Sequence, residues 1–402
     1  MLQRVNRSQV IAFIFIILCV FEYLMEYINI LRYWDELASI VFLLVVLIKG
    51  KKKNSIRLYI VAIAVVIIGL LGNFVFKFQS NSTAIMLDIV ANLKVPICCY
   101  GFYLLTNKIN TANVLHKLRP FASIFIYTGF LLCFISMIVD IGMRGQQRLG
   151  LWGFNFIYKY AHVFSSMLLA CLVIVDYAVA RKRKRGILIA MGMIQLILTL
   201  KGASIVAVCS FVIISIVLNH RKKIKAWHII LMIIAGTLAG TYQINEYFLE
   251  NAKAPRAMLL MFGFRTMIKC FPIGSGFATF ASDMANKYYS GLYRLYGFNL
   301  NWGTREGSEF LNDSWWPIIM AQFGVVGLIV VVLIFYKLFK RIQSVKVDGR
   351  KKIMIMTAFF YLMIASLGTS IFTTSVTIIL IFSMILVVNA LSHETDNEVI
   401  KV

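Results

Sequence analysis

Five side chains carry most of the chemistry this sequence offers: the cations Lys201, Arg256 and Arg265, and the carboxylates Glu309 and Asp313. Guanidinium and ammonium groups hold anions, arginine as a planar fork and lysine as a point charge. A carboxylate can take the proton of a hydroxyl that attacks an electrophile. Lys201 stands in LTLKGASIVA, where Gly202 and the small residues after it allow a helix pair to turn sharply and aim an ammonium into a cavity. The plainer reading of the same lysine is snorkelling to the membrane surface. Arg256 and Arg265 lie nine residues apart in APRAMLLMFGFRTMI, a stretch whose helical periodicity is taken to put both on one face. Pairing of either arginine with Glu246 or Glu250 is the alternative.

Asp313 belongs to NDSWWPIIMAQFGVVGL, a polar lip on an apolar run. Ser314 has the chemistry to cap the helix that follows, and Pro317 is tolerated in its first turn. Trp315 and Trp316 read as interfacial anchors or as a stacking surface for sugar rings. A carboxylate beside a helix N-terminus has its ionised form favoured, which lowers its basicity, so Asp313 is either the general base or a cap. Glu309 stands behind it as second candidate. Gly324 and Gly327 read as close helix packing.

The elements that position these groups follow from composition. A chain of 402 residues that is 60% apolar and 14% charged, with a mean hydropathy of +0.82, has too much apolar surface for a water-soluble core. Lipid is its solvent. Apolar runs long enough to span fall at 9–28, 37–48, 56–76, 84–105, 121–142, 156–180, 186–200, 202–218, 227–244, 317–337, 353–369 and 371–390. The expected fold is an all-α integral membrane protein of about twelve transmembrane helices, a single polytopic domain over 1–402, with one long, partly folded external loop at 245–316.

The net charge of +24 raises the question of nucleic acid. Its distribution answers otherwise. With both termini in the cytoplasm, every dense basic cluster (KGKKKNSIR, RKRKR, NHRKKIK and Lys337–Lys352) lands on the inner side. That side holds roughly 27 basic and 5 acidic residues and the outer side roughly 14 and 12, the asymmetry that orients membrane proteins. No nucleic acid is implied. Outer cations therefore need another reason to be present. Besides the three named above, Lys94, Arg144 and Arg148 are candidates, Lys94 inside the fourth span six residues from Asp88, a spacing that does not favour their pairing. Lys159 and His162 read as interfacial.

The many large apolar or aromatic side chains between Phe248 and Phe310, among them Phe262, Phe277, Tyr293 and Trp302, argue that 245–316 folds back as a cap. Within it, FPIGSGFATF offers Gly274 and Gly276, either as a turn or as bare backbone open to a phosphate. Six of the seven cysteines lie in apolar runs and Cys270 stands alone, so neither a disulfide framework nor a metal cluster is expected.

Arg265, PIGSGFATF, NDSWWP and QFGVVGL, in that order, resemble the second half of the Wzy-type bacterial polysaccharide polymerases, relatives of the O-antigen ligases. LTLKGA is similar to that family's short Ser-Arg-Gly element. The resemblance covers about the second half of the chain; the first half matches in hydropathy alone. Lys201 stands where the family often has arginine, and Asn312-Asp313 where the ligases have histidine and a polar residue, so a ligase-type base is not carried over. The resemblance implies a GT-C-like membrane glycosyltransferase of the bacterial cytoplasmic membrane. It would join oligosaccharide repeat units carried on undecaprenyl diphosphate into capsular or O-antigen-type polysaccharide on the outer face. No cofactor or metal ion is expected, because Arg256, Arg265 and Lys201, backed by Lys94, Arg144 and Arg148, would hold the diphosphate leaving group. A flippase and a chain-length regulator are the implied partners, alongside membrane lipid.

Two other readings share many of these features. A ligase would pass finished glycan to a different acceptor, and a flippase or transporter would place polar groups near the midplane of both halves. The orientation is open to direct measurement. In a cysteine-free background, a single cysteine at Asn301 should react with a membrane-impermeant maleimide on intact cells. Labelling only after permeabilisation would place the segment on the inner side.

Overall fold

An α-helix satisfies its own backbone, so in lipid the long apolar runs have little choice but to become helices. The computed structural model describes residues 6–50, 53–148, 150–220, 254–345 and 349–399, with scattered positions between 224 and 234. Among them, nine helices are long and apolar enough to cross a membrane. In chain order the structure has α1 (Arg7–Leu24), α2 (Trp34–Lys49), α3 (Lys53–Phe76), α4 (Ser82–Thr106) and α5 (Thr111–Ile138). A small hairpin, β1 (Arg144–Arg148) and β2 (Leu151–Phe154), then precedes α6 (Ala161–Ala178), α7 (Lys182–Leu198) and α8 (Gly202–His220). After them come α9 (Pro255–Lys269), the short α10 (Asp283–Lys287) and α11 (Gly291–Leu295), and finally α12 (Trp316–Ser344), α13 (Ile353–Gly368) and α14 (Ser375–Val399).

The chain is thus a multi-pass helical membrane protein. Nine of the twelve expected spans coincide with the long helices. The segments at 37–48 and 186–200 become α2 and α7, of 16 and 17 residues. The segment at 227–244 lies largely outside the described residues, as do Glu246, Phe248 and Glu250. The hairpin is a departure from the all-α expectation. Gln147 pairs with Trp152 and Arg148 with Leu151, and Gly150 takes a φ of +77° at the turn.

Asparagine starts three of the helices. Asn6, Asn81 and Asn110 each accept a backbone N–H of the first turn, from Ser8, Ala84 and Asn113, at 3.1 Å. The bundle centres on α6, whose residues 163–175 are all buried and which packs against α5, α7, α13 and α14. By contrast only 17% of Tyr59–Phe76 is buried, so α3 turns most of its apolar surface to the surroundings.

The described part of the long segment has a core of its own. Phe277, Phe280, Tyr293 and Phe298 are fully enclosed and pack with Leu259, Leu311 and Ile318. Its backbone at 274–281 is non-helical and buried against α3, α4 and α12, so each polar group there needs a partner. The side chain of Asn73 bonds Phe277 twice, Nδ2 donating to its carbonyl at 2.9 Å and Oδ1 accepting its N–H at 2.7 Å. Asp88 accepts the N–H of Ala278 at 2.7 Å, and Gln322 Nε2 donates to the carbonyl of Phe280 at 3.0 Å. α12 itself breaks at Gly324, with φ 62° and ψ −157°, and the freed carbonyls of Ala321 and Gln322 accept from Ser275 and Gly276.

Gly324 is therefore a backbone position, beyond the close packing expected from sequence. A Cβ there would lie 2.4 Å from the carbonyl oxygen of Pro272, on a backbone conformation that side chains disfavour. Gly324→Ala should lower stability by at least about 1–3 kcal/mol from backbone strain alone. Thermal unfolding in detergent checks this, and an unchanged midpoint would refute the interlock.

Candidate functional site

Four separate pieces of chain bring Lys201, Arg148, Arg256 and Asp313 together. The turn between α7 and α8 supplies Lys201. Leu200 ahead of it takes a φ of +52°, and Lys201 accepts the N–H of Ser204 at 3.0 Å, which starts α8. The hairpin is laid against this turn: Gly153 lies so close that a Cβ would come within 2.8 Å of the Thr199 carbonyl. Arg148 reaches over from β1, donating to the Leu200 carbonyl at 2.8 Å and to Gln146 Oε1 at 2.9 Å.

Arg256 enters from the start of α9, where Pro255 occupies the first turn and needs no N–H partner. α9 packs along α12, with Gly263 letting Pro317 approach to 3.2 Å of where a Cβ would stand. This contact sets Arg256 beside the lead-in to α12. Its Nη2 donates to Asp313 Oδ2 at 2.9 Å, both side chains being partly enclosed. Asp313 is held by its neighbours. Asn312 donates to Asp283 Oδ1 and accepts from Ser370, while Ser314 Oγ donates to the Leu367 carbonyl at 2.9 Å.

The electrostatics follow from this crowding. Burial brings the Lys201 ammonium down to about 8, with the charges of Arg256 and Arg148 adding to the fall and Asp313 opposing it. Burial raises the Asp313 carboxyl against the pull of Arg256 and Lys201. Glu309 is exposed and acts on Asp313 as a nearby like charge. His162, at the start of α6, lies within the field of Lys201, a proximity that the interfacial reading of His162 missed. Among the described residues, three cations and two carboxylates, Asp313 and Glu309, share this place, a balance of one positive charge (3 − 2). Such a cluster favours an anion.

The other residues singled out from sequence lie elsewhere or are otherwise engaged. Arg265 is exposed and stands 5.9 Å over the Tyr296 ring, which it shares with Lys269 one turn on. Nine residues are two and a half turns, which sets Arg265 about half a turn from Arg256, opposite to the shared face expected. Lys94 is buried in an ion pair with α2, 2.5 Å from Asp35 and 3.3 Å from Glu36. Its partners are therefore these carboxylates and not Asp88. Arg144 closes the end of α5, donating to the carbonyls of Ser136 and Met137 at 2.8 and 3.2 Å.

Gly274 and Gly276 do not present bare backbone to a phosphate. Their N–H groups are taken by the carbonyls of Cys270 and Gln322 at 2.8 and 3.0 Å, and the loop is packed against Asn73 and Gly324. The tryptophans also correct the expectation of a sugar platform. Trp315 is buried, with Phe372, Trp316 and Phe335 at ring distances of 4.6, 5.4 and 5.9 Å, and Trp316 Nε1 donates to Ser366 Oγ at 2.9 Å. Neither Ser314 nor Asp313 caps α12: the capping position is Trp315, without a side-chain bond. Among the described residues, no group of three or more His, Cys, Asp or Glu side chains is placed to hold a metal ion.

No family model matches the chain, and no curated protein matches it.

The Arg256–Asp313 pair can be measured as a coupling. Partly enclosed charge-assisted bonds should give roughly 1–2 kcal/mol in a double-mutant cycle of Arg256→Ala and Asp313→Ala. Unfolding in detergent supplies the four stabilities. Strict additivity would mean that the pair does not form.

Proposed function

We propose that the chain is a membrane glycosyltransferase of the polysaccharide-polymerase type, joining oligosaccharide repeat units carried on undecaprenyl diphosphate at the outer face of the bacterial cytoplasmic membrane. One observation carries this reading: Lys201 lies within the field of Arg148, Arg256 and Asp313, which come to it from three distant parts of the chain. Cations brought together in a partly buried place favour an anion among them. A diphosphate on a lipid suits the setting, since it brings its bond energy with it and needs no nucleotide. The motif resemblance noted in the sequence and a GT-C-like helical scaffold belong to the same proposal.

The steps balance on the residues present. The donor's diphosphate draws Arg256 away from Asp313 and binds it together with Lys201 and Arg148. Asp313, raised by burial and freed of its partner, takes the proton of the acceptor hydroxyl. The acceptor oxygen bonds to the anomeric carbon, and the bond from that carbon to the diphosphate oxygen breaks. Undecaprenyl diphosphate leaves with the electron pair, its charge held by the three cations. Glu309 borders this arrangement as a secondary contact for the acceptor.

The pH dependence has a definite sign. Lys201 lies below its ordinary value, so its positive charge is complete at low pH and is lost as pH rises through about 8. Purified protein given one defined lipid-linked repeat unit should produce a ladder of longer glycans, with a rate that falls across that range. Lys201→Arg should carry the plateau to higher pH, because guanidinium keeps its proton. Conversion of the unit into a single product on a different acceptor, with no ladder, would mean ligase chemistry. Absence of any glycosidic product would overturn the proposal.

A further inference from the structure

The segment ahead of α12 presents an aromatic pair on its surface. Trp302 is 74% exposed and Phe310 is 39% exposed, with ring centroids 5.9 Å apart and planes tilted by 47°. The loop between them is pinned by its own polar groups. Ser308 Oγ donates to the Gly303 carbonyl at 2.7 Å, and Asn286 Nδ2 donates to the Ser308 carbonyl at 2.8 Å. Thr304, fully buried, donates to the Phe298 carbonyl at 2.9 Å. Both rings are therefore held in place although neither is packed into the core.

The pair stands beside Arg256 and Asp313. Gly303, next to Trp302, lies so close to Pro255 that a Cβ would come within 2.5 Å of its Cγ, and Pro255 directly precedes Arg256. On the other side, the Phe310 carbonyl accepts the N–H of Asp313 at 3.4 Å. Each ring thus adjoins one partner of the ion pair.

The surroundings select the ligand. Arg305, Glu306 and Glu309 are exposed on the same loop. Hydrocarbon laid over the rings would take these charges out of water at a cost. A pyranose ring would not, because its C–H face is weakly positive and rests on the electron-rich face of an aromatic ring. Its hydroxyls meanwhile bond to the carboxylates and the guanidinium alongside. A free phosphate has no C–H face to offer.

We propose that Trp302 and Phe310 are the binding platform for the acceptor glycan, one pyranose ring stacked on Trp302 against Phe310, with its hydroxyls bonded by Glu309. The platform holds the unit whose hydroxyl gives its proton to Asp313. That role rests on the glycosyltransferase reading, whereas binding of the sugar does not.

The test uses the full chain in nanodiscs and, as probe, short oligosaccharides from partial acid hydrolysis of the surface polysaccharide of the cells that carry this protein. Saturation-transfer NMR with irradiation of aromatic protons should mark the C–H protons of one sugar ring, and titration gives the affinity. Trp302→Ala should weaken binding about tenfold and leave the unfolding midpoint in place, because the ring is exposed. Trp302→Phe should keep most of the affinity. Trp302→Leu, apolar but without a π face, should lose as much as Trp302→Ala. In the ladder reaction Trp302→Ala should raise KM for the lipid-linked unit with kcat nearly unchanged. No binding by the unaltered chain, or undiminished affinity in Trp302→Ala or Trp302→Leu, would overturn the platform and leave the ladder chemistry standing. Binding through Trp302 by a protein that forms no glycosidic product would sustain the platform and overturn the glycosyltransferase reading.

Discussion

Non-helical backbone buried in a protein interior must find a partner for every N–H and carbonyl, and the segment 274–281 is where this protein meets that demand. Asn73 of α3, Asp88 of α4 and Gln322 of α12 each spend a polar side chain on the backbone of this segment. The break at Gly324 adds two carbonyls from the main chain. The arrangement ties the N-terminal helices to the C-terminal ones through a loop. Because α9 runs directly into that loop and α12 is broken around it, the position of Arg256 relative to Asp313 is fixed by the same contacts.

The cation cluster is built on this base from pieces that have no sequence proximity. A hairpin, a three-residue turn, a helix start and the approach to another helix each give one charged group. None of them is placed by its own helix alone. Lys201 depends on the backbone of Leu200, which Arg148 holds, and Arg256 depends on the packing of α9 against Pro317. Charges that repel one another are thus held by contacts that are mostly neutral.

Hydropathy made most of the helical architecture legible, since one long apolar run forms one helix regardless of its surroundings. The exceptions have local causes. α2 and α7 are short, and the hairpin at 144–154 lies in a stretch with no hydropathy signal. Within the site, scarcity of outer cations pointed to Lys201, Arg148 and Arg256, and the polar lip pointed to Asp313. Spacing misled for one pair. Arg265 does not share a face with Arg256, because two and a half turns set them apart, whereas the six-residue spacing of Lys94 from Asp88 correctly argues against their pairing, the partners of Lys94 lying on α2. The glycines and tryptophans carry two readings for a shared reason: both types suit ligand contact and tight packing equally, and only the fold decides between them. Asn73 gave no signal at all, because a single amide in an apolar helix has no pattern until its partner is known.

The short helix α2 has a consequence for the surrounding lipid. Its 16 residues extend about 24 Å, against an apolar layer about 30 Å thick. Lys94 grips Asp35 and Glu36 at its N-terminal end, so the helix is not free to slide or tilt toward a better match. If α2 crosses the membrane, the bilayer yields instead, dipping along this flank of the molecule, and a membrane locally compressed in this way favours lipids with shorter chains at that side.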